Sequence, residues 1–364
     1  MIIKKEKKGD VMVYYVKKNI SDEKMDAMKG KFIQPSQIDF IIKDNADVYA
    51  VDSDSDSDSD SVSDSETVGK GVKSGSKNGK KLLIRFRKNK LTKSKIEDFY
   101  ENVIEFAEIE TTARGVASGS KNRITGLNPK IKSNVLGYID KLSVSQKAIL
   151  KRKGVKILPV RETRFTRDYP DKYAKVVPLV KEIDEYYEKY APDYYKKQKQ
   201  KANQTPFKIC GTSFTTVTTN VNFQTAIHKD KGDDEEGFGN LVVIEKGKYS
   251  GAETCFPQYG IGVDVRYGDV LYMNVHEWHA NLPMKKSGED AKRLSIVCYL
   301  RYNLWDMTKH MSKNSMNNHT RKLRSILGKG TSKVKGLSTR KAVGKMSMKE
   351  KKGSTSSRTV KNRK

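Results

Sequence analysis

From Thr212 to about Tyr302 the chain changes its hydrophobic period to two. The segments TSFTTVTT, NLVVIEK, AETCF, GIGVDVRY, DVLYMNV and LSIVCYLRY are short and rich in β-branched and aromatic residues, with Gly, Asn, Asp and Pro between them. Alternate side chains of a strand face opposite sides, so such segments build a sheet with one face toward a core. Several in succession, with no helix between consecutive strands, predict a sandwich or a barrel and exclude a parallel βαβ sheet. Upstream, LLIRF (82–86) reads as a strand. Leu91 to about Glu108 reads as an amphipathic helix, with Ile96, Phe99, Val103, Ile104 and Phe106 largely on one side. The stretch from Pro170 to about Lys201 is helical in pattern and rich in tyrosine, with breaks expected at Pro178 and Pro192. The fold class is therefore mainly β with flanking helices.

The remaining regions differ in texture. Residues 1–50 carry short apolar alternations that suit two or three small strands, with no role assigned. Residues 51–80 contain DSDSDSDSDSVSDSE and a Gly/Ser/Lys stretch. Self-repulsion and the lack of apolar side chains predict a disordered acidic linker there. Residues 81–305 form the expected folded domain. From 308 to 364 there are 18 Lys/Arg and one acid, Glu350, so residues 306–364 are expected to be a disordered basic tail. That tail accounts for more than half of the net charge of +28. A balance so basic favours a polyanion, nucleic acid before an anionic membrane, although a lysine-rich solvated surface gives the same count.

Three cysteines, Cys210, Cys255 and Cys298, stand far apart with no CxxC. This argues against a disulfide scaffold and a structural zinc site, and fits a reducing compartment. No run of 18 apolar residues exists and the N-terminus has no long apolar stretch, so neither a membrane span nor secretion is expected. An intracellular location, nuclear or cytoplasmic, is the expectation.

Chemistry concentrates in the β-rich region. His228 and Asp230, two apart on a strand, would face one point. About fifty residues on come His276 and His279. Two histidines and a carboxylate on one face of a metal are the facial triad of non-haem Fe(II) oxygenases, which leaves positions open for a 2-oxo acid and dioxygen. A lone HxD is a weak signal. Here Gly268-Asp269 opens the strand that leads to the second pair of histidines, and Arg293 and Ser295 follow on the next strand. An arginine fork suits the far carboxylate of 2-oxoglutarate, and Ser295 could add a hydroxyl donor on the same side.

The stretch from Gly211 to Met284 resembles the TET/JBP family of DNA-base dioxygenases. RETRFTRDYP (161–170), SNVLGYIDK (133–141) and RGVASG (114–119) resemble its upstream segments. The resemblance covers roughly 81–305. It implies a double-stranded β-helix (jelly-roll) core, Fe(II) and 2-oxoglutarate as cofactors, and dioxygen as co-substrate. It also implies hydroxylation of a pyrimidine C5-methyl group in DNA, thymine to 5-hydroxymethyluracil first. By position His228, Asp230 and His279 are the implied iron ligands and Arg293 the implied 2-oxoglutarate grip. His279 is preferred to His276 because it follows Asp269 by ten residues and precedes Ala280-Asn281, where the family tends to have Gly-Asn. Asn222, Gln224, Thr225 and His276 are candidates for the substrate side. A 5-methylcytosine oxidase, a non-catalytic basic DNA-binding protein with a relic barrel, and a protein prolyl or lysyl hydroxylase are the competing readings.

Overall fold

The computed structural model describes residues 1–51, 79–119 and 129–328. In chain order these form β1 (Ile2–Lys8), β2 (Val11–Val16), α1 (Asp22–Met28), β3 (Phe40–Ile42), β4 (Ala46–Val51), β5 (Lys80–Arg87), α2 (Lys93–Ala107) and β6 (Glu110–Thr111). Next come β7 (Ile131–Ile139), α3 (Val144–Arg152), β8 (Arg161–Glu162), α4 (Arg164–Asp168), α5 (Pro170–Tyr190) and α6 (Pro192–Gln204). The β-rich part follows as β9 (Thr216–Val221), β10 (Gly239–Lys246), β11 (Tyr249–Gly251), β12 (Thr254–Phe256), β13 (Ile261–Val263) and β14 (Val270–Met273). It ends with β15 (Ala280–Asn281), β16 (Met284–Lys286), β17 (Lys292–Tyr299), α7 (Tyr302–Thr308) and α8 (Lys313–Leu327). No helix among the described residues is long and apolar enough to cross a membrane.

Two sheets make the core. The larger runs β1-β2-β4-β5-β14-β10-β17-β9-β7-β6, and the smaller β15-β12-β13-β3. The strand period sorts the side chains between two cores. Val242 and Ile244 of β10, Val270 and Tyr272 of β14, and Leu294 and Ile296 of β17 pack with Phe99 and Val103 of α2 and Leu179 and Ile183 of α5. Leu241, Val243, Leu271 and Met273 face the other way and pack with Phe256, Ile261 and Val263 of the smaller sheet. A helix layer therefore covers one face of the large sheet, and the small sheet covers the other. This is the jelly-roll arrangement expected, with two separately hydrogen-bonded sheets and no closed barrel. Helices α2 and α5 are tied at one end by buried Glu182, which accepts from the Thr92 amide at 3.1 Å and the Thr92 hydroxyl at 2.5 Å. Phe99, fully buried on α2, belongs to the class whose truncation to Ala costs about 3–5 kcal/mol.

Three expectations need correction. Residues 1–50 are not a separate small segment. β1, β2 and β4 extend the large sheet beyond β5, and β3 adds to the small sheet in parallel with β13. Val16, Ile42 and Val48 are buried in the shared core, so the folded body begins near residue 1 and not at 81. The helix from Pro170 does not break at Pro178: α5 runs through it. Proline removes one bond to the carbonyl four residues back, here that of Ala174. Both Pro178 and Ala174 are exposed, so water can satisfy that carbonyl. Pro192 does separate α5 from α6, standing at the first position of α6.

The third correction concerns the basic tail, which is helical at its start. α8 begins at a Ser312 cap that accepts from the Ser315 amide at 3.1 Å, and it buries Leu323. Its apolar positions pack on the body, with Met316 against the cluster of Val160, Phe207 and Leu304. High charge on the other faces hid this stripe. The expected acidic linker lies almost wholly outside the described residues, as does the chain after 328.

Candidate metal centre

His228 and His279 are brought together by backbone pairing. Each amide donates to the other's carbonyl, both at 3.0 Å, in an isolated antiparallel bridge. His228 is thus not on a regular strand as expected. The bridge sets the two imidazoles side by side, with ring centroids 4.3 Å apart. The Asp230 amide donates to the Val275 carbonyl at 2.9 Å. That fixes its carboxylate against both rings, 3.6 Å from His228 Nε2 and 3.6 Å from His279 Nε2. The ligand atoms of the three residues all lie within 4.8 Å of one another.

The loop carrying His228 is held on both sides. The Ile227 amide donates to Lys31 and its carbonyl accepts from Gly30, at 2.9 and 2.8 Å. The Ala226 amide donates to Ala117 at 2.9 Å. Met25 and Ile33 pack on Ile227 and Trp278 from below. The N-terminal segment, to which the sequence assigned no role, therefore braces the site.

Protonation suits metal binding. His228 Nδ1 lies 2.7 Å from the Ala226 carbonyl and His279 Nδ1 2.9 Å from the Glu277 carbonyl. A carbonyl cannot donate, so each Nδ1 carries the hydrogen and each Nε2 keeps its lone pair, the second-sphere device common to metal-binding histidines. Burial and the neighbouring His279 pull His228 down to about 4, which keeps it neutral at pH 7. Burial opposes the Asp230 charge. The neighbouring His279 and His228 imidazoles and the Arg114 guanidinium outweigh it and hold the carboxyl below its usual range. A neutral His228, a second imidazole turned toward it and an ionised carboxylate form the donor set that a divalent iron needs.

These groups open into a cavity of about 330 Å³ between the two sheets. Arg293, Ser295 and Val297, alternating along β17, line it together with Thr218 and Asn220 of β9. The period of two that sends Leu294 and Ile296 to the helix side thus sends Arg293 and Ser295 to the cavity. Arg293 is 4 % exposed. Its Nε has no hydrogen-bond partner, and among the described residues no carboxylate pairs with it. Burial pulls its pKa below the arginine value, against the influence of Tyr249 and Glu245. A buried guanidinium without an anion is costly, and a dicarboxylate reaching it would remove that cost. The residues present therefore fit both Fe(II) and 2-oxoglutarate.

The remaining candidates divide. Thr225 lines the cavity and donates to Asn281 Oδ1 at 2.6 Å. Asn222 and Gln224 do not line it. Asn222, at φ 49°, accepts from the Arg293 amide at 2.7 Å and donates to Ala291 at 3.2 Å. Gln224 donates to the Asn281 carbonyl at 3.3 Å. Both amides bond to backbone outside the cavity lining, and Asn222 fixes the strand position of Arg293. His276 lies apart, with Nε2 3.3 Å from the Asp234 carbonyl.

Other residues entered unforeseen. Arg114 Nε donates to Ser133 at 2.5 Å, Ser133 to Asn220 at 2.6 Å, and Asn220 to Ser295 at 3.3 Å, a relay along the cavity wall. The second terminal nitrogen of Arg114 is buried without a partner. Arg114 opens the RGVASG segment, so the signal was present. Asn220 was hidden, because only the pairing of β9 with β7 and β17 sets it opposite both Ser133 and Ser295. At the rim Arg301 binds Asp140 at 2.5 Å. Burial and Asp230 push nearby Asp233 well above the usual carboxylate range, against the pull of Arg301 and Arg114.

Comparison with known proteins agrees with this geometry. Residues 149–302 match the Tet_JBP model, the oxygenase domain of the 2OGFeDO superfamily. A bifunctional helicase and thymine dioxygenase JBP2 of Leishmania tarentolae is 32 % identical over 211 residues, 58 % of this chain and 17 % of that protein. Thymine dioxygenase JBP1 of Trypanosoma brucei brucei is 32 % identical over 203 residues, 55 % of this chain and 22 % of that protein. The chain thus spans less than a quarter of the length of these relatives. Among solved structures, NgTET1 in complex with 5mC DNA aligns at 14 % identity and a TM-score of 0.42, over 65 % of this chain and 80 % of that one. The matched segment holds His228, Asp230, His279, Arg293 and Ser295, and over these residues the chain is similar to the Tet_JBP oxygenase domain of the 2OGFeDO superfamily.

Proposed function

We propose that the chain is an Fe(II)- and 2-oxoglutarate-dependent dioxygenase that hydroxylates the C5-methyl group of a pyrimidine in DNA, thymine first. The observation that carries the reading is a single cavity holding both the His228–Asp230–His279 cluster and the buried Arg293 guanidinium, whose Nε has no hydrogen-bond partner. The thymine dioxygenases among the relatives support the choice of base.

When bound, iron and 2-oxoglutarate supply the oxidation, inserting one atom of dioxygen into a C–H bond while the 2-oxo acid becomes succinate and carbon dioxide. His228 and His279 would hold the metal through Nε2, and Asp230 would supply the charge. Arg293 grips the far carboxylate, with Asn222 locking its backbone and Ser295 adding a hydroxyl. A cavity of about 330 Å³ takes the co-substrate and one base, not a duplex. The target nucleotide is therefore taken out of the stack or is single-stranded, at a cost of about a few kcal/mol.

The test is incubation with Fe(II), ascorbate and 2-oxoglutarate on thymine-containing DNA, beside a 5-methylcytosine version, with nucleoside masses read out. One added oxygen on thymidine, absent with Asp230→Ala, is the expected result. The same gain only on 5-methylcytidine moves the base assignment. No Asp230-dependent consumption of 2-oxoglutarate refutes the enzyme reading.

A further inference from the structure

The Asp140–Arg301 ion pair on the cavity rim joins the ends of β7 and β17. The residues that follow on each strand, Lys141 and Tyr302, are both exposed. Lys141 lines the cavity. The Tyr302 amide donates to Gly232, itself a cavity residue two positions from Asp230, at 3.1 Å. Tyr302 is 42 % exposed, with the Trp305 ring 5.2 Å away and Lys201 Nζ 6.0 Å away.

From Lys141 the chain leads directly into α3, capped by Ser143, whose hydroxyl accepts from the Gln146 amide at 3.2 Å. α3 packs on α8. Between Lys141 and Val160 there is no Asp or Glu, and none in α8. Lys147, Lys151, Arg152 and Lys156 are exposed, as are Lys313 and Lys322 of α8, and among the described residues no carboxylate pairs with any of them. The contrast with the adjoining groove of about 550 Å³ is instructive. There Arg324 is paired with Glu162 and Arg167 with Asp168, and Arg161 is turned onto the Lys141 carbonyl. On α3, α8 and the rim, by contrast, the exposed cations named above stand without a carboxylate between them.

We propose that α3, α8 and the rim form the nucleic-acid docking track of this chain, with the helix cations on the phosphates and Tyr302 stacking a base beside the cavity mouth. A row of unpaired cations ending in an exposed aromatic ring is what a strand of nucleic acid recognises, whatever its sequence. The proposal rests on the reading that the substrate is nucleic acid, and it names where the strand lies.

The test measures fluorescence anisotropy of a labelled thymine-containing oligonucleotide, duplex and single-stranded, across a salt series with the full chain. The triple variant Lys147→Gln/Lys151→Gln/Arg152→Gln is expected to reduce the slope of log K against log salt by about 2.7 on duplex, about 0.9 per lost phosphate contact. A control losing equal charge elsewhere, Lys5→Gln/Lys7→Gln/Lys43→Gln, should leave the slope unchanged. Equal slopes in the two triple variants overturn the track. Tyr302→Ala should weaken single-strand binding about 5- to 150-fold at unchanged slope, with Tyr302→Phe like wild type; unchanged affinity overturns the stacking role. Base oxidation is read on the same samples. A changed slope with no oxidised thymine and no Asp230-dependent consumption of 2-oxoglutarate would refute the oxygenase reading and leave the docking track standing.

Discussion

Arg293 offers the sharpest test, because the structure assigns it opposite effects on function and on stability. It is buried, its Nε is unpartnered, and no described carboxylate neutralises it. In the protein without co-substrate an unsatisfied buried group of this kind costs about 1–3 kcal/mol. Arg293→Met keeps the volume and removes the charge, so it should leave the thermal midpoint unchanged or raise it. The same substitution removes the partner of the 2-oxoglutarate carboxylate. Loss of one member of a buried charge pair costs about 2–5 kcal/mol, which corresponds to about 30- to several-thousand-fold in affinity. The assay is succinate release against 2-oxoglutarate concentration, with thermal shift by 2-oxoglutarate as a binding readout. Wild type should be stabilised by 2-oxoglutarate and Arg293→Met should not. Arg293→Lys should fall between them, since a lysine keeps the charge and loses the fork. An unchanged 2-oxoglutarate KM in Arg293→Met would refute the assignment. A large fall in stability without co-substrate would show that the guanidinium is a structural group instead.

Further outcomes follow from the same geometry. Asp230→Ala should abolish Fe(II) binding, measured by metal content after desalting, and leave the far-ultraviolet circular dichroism unchanged, because the bond that places this residue is made by its backbone amide to Val275. His228 has its folded pKa lowered to about 4. The folded state therefore prefers the neutral ring, and the contribution is present above pH 6.5 and lost as pH falls toward 4. Metal-free protein should lose up to about 3 kcal/mol over that window in denaturant titrations, and His228→Gln should flatten the slope. Asp140→Ala breaks the buried pair with Arg301 and should cost about 3–5 kcal/mol in urea unfolding; a change below about 1 kcal/mol would contradict it. Deleting residues 1–45 should yield insoluble protein, since it strips Val16 and Ile42 from the core and the Lys31 brace from Ile227; a soluble, active product would refute the integral role of this segment.

What could be read in the sequence followed from local periods. β10, β14 and β17 were legible because alternation is written in consecutive residues, and Arg293 and Ser295 came with them. α2 was legible from its apolar stripe. α8 was not: its apolar positions are few and lie among lysines and arginines, so charge density outweighed the period. β1 to β4 were visible as strands, but which sheet they join depends on pairings with β5 and β13, and no short window records a partner that far away.

The metal cluster shows the same division at finer grain. The expectation that His228 and Asp230 share a side because they are two apart on a strand reached the correct neighbourhood by an incomplete route. Their side-by-side placement comes from reciprocal bonds between His228 and His279 and from the Asp230 amide on Val275, both long-range. Those bonds also separate His279 from His276. Residue 279 is bound to 228 through the backbone, whereas residue 276 lies three positions earlier in the turn and meets the Asp234 carbonyl. Asn222 and Gln224 stand outside the cavity lining for a related reason. An amide beside a metal motif is equally suited to a base edge or to a strand edge, and here the strand edge is nearer. Asn222 is in the left-handed region, a conformation asparagine tolerates better than most residues. That turn lets its side chain reach the Arg293 amide. Its contribution to substrate binding is therefore through the register of Arg293, and Asn222→Ala should raise the KM for 2-oxoglutarate and leave DNA affinity unchanged.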